Sequence, residues 1–456
     1  MSASQRLNGL TYHLRTFGCQ MSFHDSERIA GMLESLGALP VSGAEQAELV
    51  VFMTCCVREK ADERLLGQVA SLKNLPQPGL APRIIAVGGC IGQRDGARLI
   101  EQLPHIDIVF GTHNLAALPD LVQAVLAGEG HQVELLACEC QPATSLPSRR
   151  SQAWHAWLPI MTGCNNFCSY CIVPYVRGRE KSRPFPDIMA ELERLLAEGV
   201  VEVTLLGQNV NSYGRDLYGQ PRFADLLVAV GQSGLARLRF TTSHPKDLSP
   251  QSIEAFAHTA AVMPHLHLPV QSGSNRVLAA MNRHYSVEHY LGLVHELRAA
   301  CAMSGKGANT PALSTDIIVG FPGETEADFE ATCQLVQEVG YSQAFTFIYS
   351  KRQGTPAAKV VDATPAVVIQ DRFERLVTLV QQSAWQANQG ELGQTVEVLV
   401  EGTSKRDANM LTGRSPKNQT VHAPAPAGVD SERLCGRILK VQVTEARTWY
   451  LRGELV

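Results

Sequence analysis

Three cysteines in C-x3-C-x2-C spacing, Cys164, Cys168 and Cys171, follow directly on the apolar run Trp157–Met161, which reads as a strand. The spacing constrains the fold strongly, because one short turn must bring three sulfurs together and a fixed strand end must hold that turn. A structural zinc ion takes four protein ligands, and no fourth Cys or His lies nearby at the usual spacing. A 4Fe-4S cluster held by three thiolates instead leaves one iron open to a small chelating molecule. The amino and carboxylate groups of S-adenosylmethionine suit that iron, and electron transfer into the sulfonium would release a 5′-deoxyadenosyl radical. In parallel α/β architectures active sites gather at the carboxyl ends of strands, where this loop falls.

The rest of the chain must supply such strands. At 456 residues, with 45% hydrophobic and 18% charged residues, it has the composition of a globular protein of two or three domains, α/β in class. Residues 10–127 alternate short apolar runs (Leu49–Met53, Ile84–Val87 and Ile106–Phe110) with helical stretches, as in a parallel-sheet βα domain. Residues 128–152 read as a linker, rich in Pro, Ser and Arg toward the end. Residues 153–388 hold six strand candidates: Trp157–Met161, Val201–Leu206, Leu238–Thr241, His265–Leu268, Leu313–Val319 and Ala344–Ile348. They predict a partial (β/α)6 barrel, with Thr325 and Asp328 spaced as a helix capping pair. After a helix near Ala366–Gln389, strict alternation such as Leu439, Val441 and Val443 against Lys440, Gln442 and Thr444 predicts a small all-β barrel over 391–456. Its strands are placed at Gln394–Glu401, Arg437–Glu445 and Trp449–Leu455, with Gly/Pro-rich turns between.

No apolar signal core opens the chain and no apolar run approaches the ~20 residues that span a bilayer, so a cytoplasmic protein with no membrane partner is expected. A net charge of −4 gives no overall support to nucleic-acid binding, and any RNA contact must be local. Without a secretion signal, the 12 cysteines read as metal ligands and buried thiols rather than a disulfide framework. Cys19, Cys55 and Cys90 each follow a predicted strand, about one βα unit apart. Such positions converge at one edge of a parallel sheet and suit a second three-thiolate cluster, but their spacing suits buried packing thiols equally well.

The chain resembles the radical S-adenosylmethionine superfamily through Cys164, Cys168 and Cys171, and within it the methylthiotransferase family along nearly its whole length. The likeness rests on Thr16-Phe17-Gly18-Cys19-Gln20-Met21, Thr54-Cys55, Val57-Arg58-Glu59-Lys60-Ala61, Val87-Gly88-Gly89-Cys90 and Leu206-Gly207-Gln208-Asn209-Val210-Asn211. It continues through Phe240-Thr241-Thr242-Ser243-His244-Pro245, Leu268-Pro269-Val270-Gln271-Ser272-Gly273-Ser274, Gly320-Phe321-Pro322-Gly323-Glu324-Thr325 and Gly354-Thr355-Pro356. The type it is most similar to is MiaB, which acts on isopentenyl-adenosine beside the tRNA anticodon. The resemblance implies two 4Fe-4S clusters, with Cys19, Cys55 and Cys90 holding the auxiliary one that carries the sulfur to be methylated and inserted. Cys56 departs from the familiar small residue and is read as non-ligating, while Cys138, Cys140, Cys301, Cys333 and Cys435 are read as structural.

Strand-end polar residues suited to S-adenosylmethionine are Gln208, Asn209, Ser243 and Asp316, with Gly207 permitting close approach. No residue is assigned as a general acid or base, since the cofactor carries the difficult chemistry. The cations Arg177, Arg179, Lys181 and Arg183 after the cysteine loop are read as contacts to tRNA phosphates at the mouth of the site. The C-terminal segment resembles a TRAM domain, which implies RNA binding, and the anticodon stem-loop presents a splayed base. The implied reaction is methylthiolation of carbon 2 of N6-isopentenyl-adenosine at position 37 of tRNA, by a monomer served by an electron donor and a sulfur donor. The alternative is the same chemistry on threonylcarbamoyl-adenosine or on a ribosomal-protein aspartate.

Overall fold

The computed structural model describes residues 7–56, 59–76, 82–136, 146–306, 310–426 and 428–456. Val57, Arg58, Cys138, Cys140 and most of the Pro/Ser-rich stretch of the expected linker lie outside them. The chain divides into two compact units, one containing the chain up to Ser151 with Met161–Asn165 and Cys171–Lys181, the other Gln152–Ile160, Asn166–Tyr170 and Ser182–Val456.

The first unit is built on a six-stranded sheet with the order β2-β1-β3-β4-β5-β6. These strands are β1 (Thr11–Thr16), β2 (Leu39–Pro40), β3 (Leu49–Thr54), β4 (Ile84–Gly89), β5 (Ile108–Phe110) and β6 (Gln132–Glu134), all paired in parallel. Every residue of β3 and β4 is buried, because both faces of a parallel sheet are covered. Alternation then sorts the side chains. Val50, Phe52, Ile85, Val87 and Val109 enter one core, and Leu49, Val51, Met53, Ile84, Ala86 and Ile108 the other. Strand β6 lies within the expected linker. It was not legible because Gln132-Val133-Glu134 is a polar edge strand with Val133 exposed.

The second unit carries β7 (His155–Pro159), then, after the short strands β8 (Met161–Thr162) and β9 (Lys181–Ser182) that bracket the cysteine loop in sequence, β10 (Glu202–Leu206) and β11 (Arg237–Thr241). It continues with β12 (His265–His267), β13 (Ala312–Val319) and β14 (Gln343–Ile348). Two parallel sheets, β7-β10-β11 and β12-β13-β14, are joined by a parallel bridge between Leu238 and Val262, giving six parallel strands in order. Thr325 and Asp328 form the expected capping box at the start of helix Glu326–Val339.

A closed barrel ends the chain, formed by β15 (Thr395–Ser404), β16 (Asp407–Arg414), β17 (Thr420–Pro424), β18 (Ile438–Ala446) and β19 (Tyr450–Leu455) in the order β15-β16-β17-β19-β18. Strands β16 and β17 replace what reads in sequence as turns. In β16 only Leu411 and Gly413 are buried, so its apolar period is too short to see. Arg237, 1% exposed, fixes the small barrel to the six-stranded one by donating to the carbonyls of Arg414 at 2.9 Å and Glu397 at 3.3 Å. Replacing Arg237 with alanine leaves two carbonyls without their donor, at a cost of about 1–3 kcal/mol. Limited proteolysis should then release the small barrel faster than from the parent protein, and an unchanged cleavage rate would contradict this anchoring role.

Candidate functional site

Strands β1, β3 and β4 are neighbours, and their registers pair Thr16 with Met53 and Thr54 with Gly89. Their carboxyl ends therefore abut, and each leads into a cysteine. Cys19 is the N-cap of helix Gln20–Ser35, Cys55 follows β3, and Cys90 opens the short helix Cys90–Asp95. Two glycines permit the approach. A Cβ on Gly18 would lie 2.3 Å from that of Cys55, and one on Gly89, at φ +89°, would lie 2.7 Å from the Thr54 carbonyl oxygen. Thr54 Oγ1 locks β3 to β4 by donating to Gly88 O at 2.6 Å and accepting from Ile91 N at 3.0 Å.

The thiols interact in pairs, Cys19 with Cys55 and Cys56 with Cys90. A hydrogen bond with Cys55, aided by Arg177 and Ser22 against the effect of burial, brings the Cys19 thiol down to about 5. A hydrogen bond with Cys56, with Arg177 again opposing burial, brings Cys90 to about 7. Cys56 is pushed well above the usual thiol range by its bond with Cys90 and by burial, so it remains a neutral donor. Among the described residues no three His, Cys, Asp or Glu side chains close around a point as they would for a single metal ion. A donor set of thiols alone, two of them thiolate-prone, fits an iron–sulfur cluster.

Two of the four cations after the cysteine loop are buried, which corrects the expectation of tRNA phosphate contacts for Arg177 and Arg183. Arg177 pairs with Asp25 at 3.1 Å and Arg183 with Glu191 at 2.8 Å. Arg179 is exposed and Lys181 half-buried. The apolar run Val173-Pro-Tyr-Val that leads into Arg177 is the sequence mark of an ordered segment.

Parts of the cysteine loop belong to each unit. In the first, Cys164 N donates to Gly178 O at 3.1 Å, and a Cβ on Gly163, at φ +75°, would fall 1.9 Å from Arg179 O. Ile172 and Val176, just after Cys171, enter the same core as Cys56 and Cys90. In the second, Cys168 accepts from Arg283 Nη1 at 3.4 Å, and Arg283 also donates to Pro269 O and Tyr285 Oη. Asn282 Nδ2 donates to Phe167 O at 2.9 Å, and Ser169 Oγ to Ala280 O at 2.8 Å.

At the ends of β10 and β11 the second unit gathers polar atoms that have no protein partner. Gln208 Oε1, Asn209 Oδ1, Asn211 Nδ2, Ser243 Oγ and His244 Nε2 are all buried and unpaired. Each such group costs about 1–3 kcal/mol unless something bonds it, so the cluster is built for a polar ligand. Asn209 is oriented by its Nδ2 bond to Asp247 at 2.8 Å. His244 Nδ1 accepts from Lys246 N at 3.2 Å, which places the ring proton on the unpaired Nε2. Burial, with Arg283 and Lys246 nearby, pushes this imidazole far below its usual range and keeps it neutral. Asp316 is not part of the unpaired group, since its carboxylate faces His267 at 3.6 Å. Asn211, His244, Arg283 and Asp25 were not assigned from sequence, although the first two stand inside the motifs above, and Arg177 was assigned a different role.

Three family models match the chain: the radical SAM superfamily over 158–336, the uncharacterized protein family UPF0004 over 11–111, and the TRAM domain over 389–456. The chain is 47% identical to the tRNA-2-methylthio-N(6)-dimethylallyladenosine synthase of Carboxydothermus hydrogenoformans, covering 98% of this chain and 99% of that protein. It is 49% identical to the protein of that name from Acidothermus cellulolyticus, covering 96% and 86%. Among solved structures it is similar in fold to the radical S-adenosylmethionine methyltransferase TsrM from Kitasatospora setae, with a TM-score of 0.55 and 14% identity, over 77% of this chain and 74% of that one.

Replacing Gly18 with alanine drives a Cβ into that of Cys55 and should displace one thiol of the first set. After anaerobic reconstitution with iron and sulfide, bound iron should fall to about half that of the parent, because the second cysteine set is untouched. Full iron content in this variant would show that the close approach is dispensable.

Proposed function

The chain belongs to the family of tRNA-2-methylthio-N6-dimethylallyladenosine synthases, and we propose that it carries out that reaction through the two cysteine sets described above. It places a methylthio group on carbon 2 of N6-dimethylallyl-adenosine at position 37, in the tRNA anticodon stem-loop. The observation that carries the reading is the convergence of Cys19, Cys55 and Cys90 at three adjacent strand ends, apart in sequence from Cys164, Cys168 and Cys171. One set serves radical generation and the other a sulfur-handling step. The same chemistry on threonylcarbamoyl-adenosine or a ribosomal-protein aspartate is not favoured by the relatives' names.

Bound in these sets, two 4Fe-4S clusters would supply low-potential electrons and a place for sulfur. The protein's own groups do the rest. Cys164, Cys168 and Cys171 hold one cluster, with Arg283 donating to the Cys168 sulfur. Gln208, Asn209, Asn211, Ser243 and His244 offer both donors and acceptors to the amino-acid part of S-adenosylmethionine, and their burial excludes water. Asp316, half-buried beside His267, orients another part of the same molecule. On the small barrel, Trp449 is exposed at the entry to β19 and gives RNA a stacking surface. No described helix is long and apolar enough to cross a membrane. The proposed enzyme works as a cytoplasmic monomer that draws electrons and sulfur from separate donors.

Replacing either cysteine set with alanine should abolish 2-methylthio nucleosides in tRNA hydrolysates, with N6-dimethylallyl-adenosine accumulating by mass spectrometry. Undiminished product from both variants would sink the proposal. Ser243→Ala should raise the KM for S-adenosylmethionine about tenfold, the loss of one ligand hydrogen bond worth about 1.4 kcal/mol. An unchanged KM would remove Ser243 from the ligand site.

A further inference from the structure

Arg177 stands six residues after Cys171 and caps the short helix Val173–Val176. That segment is part of the first unit. Ile172 and Val176 lie in its core with Cys56 and Cys90, and Thr112 Oγ1 donates to Val176 O at 2.8 Å. The guanidinium, 6% exposed, donates from Nη2 to Asp25 Oδ2 at 3.1 Å, hydrogen-bonds Cys90 and lies within electrostatic reach of Cys19. Asp25 belongs to the helix that Cys19 caps. One buried ion pair thus ties the Cys19 helix to the segment that follows Cys171, with its cation turned toward the thiols.

We infer that Arg177 is a positioning residue for the auxiliary cluster: its fixed positive charge, in contact with Cys90, favours the reduced cluster and sets its potential upward. The inference rests on the reading that Cys19, Cys55 and Cys90 hold that cluster. Its physical basis is simple. Reduction adds one negative charge to a site already rich in thiolate, and in a medium of low dielectric constant a guanidinium alongside offsets that charge more strongly than water would. Asp25 opposes the effect and holds the guanidinium in place.

The test uses the full-length chain with Cys164, Cys168 and Cys171 replaced by alanine, so that only the auxiliary cluster remains after reconstitution. Iron and acid-labile sulfide per chain are measured, and the midpoint potential is followed by electron paramagnetic resonance. Arg177→Gln should shift the potential to more negative values, Arg177→Lys should restore it to near the parent, and Asp25→Asn should shift it to more positive values. Opposite shifts from the two partners would not arise from a merely structural ion pair. Unmoved potentials in Arg177→Gln and Asp25→Asn at parental iron content overturn the inference. If Arg177→Gln does not hold the cluster, Asp25→Asn decides alone, a positive shift supporting the inference and no shift overturning it. Full iron retained when Cys19, Cys55 and Cys90 are also replaced overturns the cluster assignment instead.

Discussion

Parallel strands of one sheet end on the same side, and the first cysteine set depends on that constraint. Cys19, Cys55 and Cys90 stand at adjacent strand ends because β1, β3 and β4 are neighbours in register. The register is well determined: β3 and β4 are buried on both faces, and a slip by one residue would exchange Val50 and Phe52 with Val51 and Met53 between two differently shaped cores. Gly18 and Gly89 remove the two Cβ atoms that would otherwise hold the connecting turns apart, and Thr54 clamps the turn after β4 to β3.

The barrel uses its strand ends differently. There several buried polar atoms without a protein partner gather at two strand ends, on Gln208, Asn209, Asn211, Ser243 and His244. Neighbouring bonds fix these side chains rather than satisfy them. Asp247 orients Asn209, Asn211 Oδ1 accepts from His244 N, and Lys246 N selects the His244 tautomer. A site whose unpaired atoms are already aimed does not have to be reorganised when a polar ligand arrives, and the desolvation cost already borne in the free protein is recovered on binding.

Much of this was legible in the sequence, for reasons that differ by element. The wholly buried strands β3 and β4 announce themselves because burial on both faces leaves continuous apolar runs. Strands β6 and β16 do not, since an edge strand or a small-barrel strand buries too few side chains to establish a period. Gln208, Asn209 and Ser243 stand out in the sequence because polar residues at strand ends are informative, whereas one histidine before a proline, His244, carries no signal of its burial. Arg177 and Arg183 were misread for the converse reason. A run of cations looks solvated in one dimension, and only the fold reveals Asp25 and Glu191 waiting for them.

Charge explains why those two partners matter unequally. Arg183 and Glu191 neutralise each other in the second unit, a closed pair that adds structure and little field. Arg177 is not closed in that way, because Asp25 also accepts from or pairs with His24 while the guanidinium contacts Cys90. Gathering thiolates in a buried site is costly unless a cation accompanies them. The fold places Arg177 at the first set and lets Cys56, held neutral beside Cys90, donate rather than add a further negative charge. At the other loop Arg283 stands to Cys168 as Arg177 does to Cys90, a buried guanidinium donating to sulfur. Two unrelated segments have thus met the same electrostatic demand with the same side chain, one whose planar, permanently charged fork can bond sulfur and backbone together.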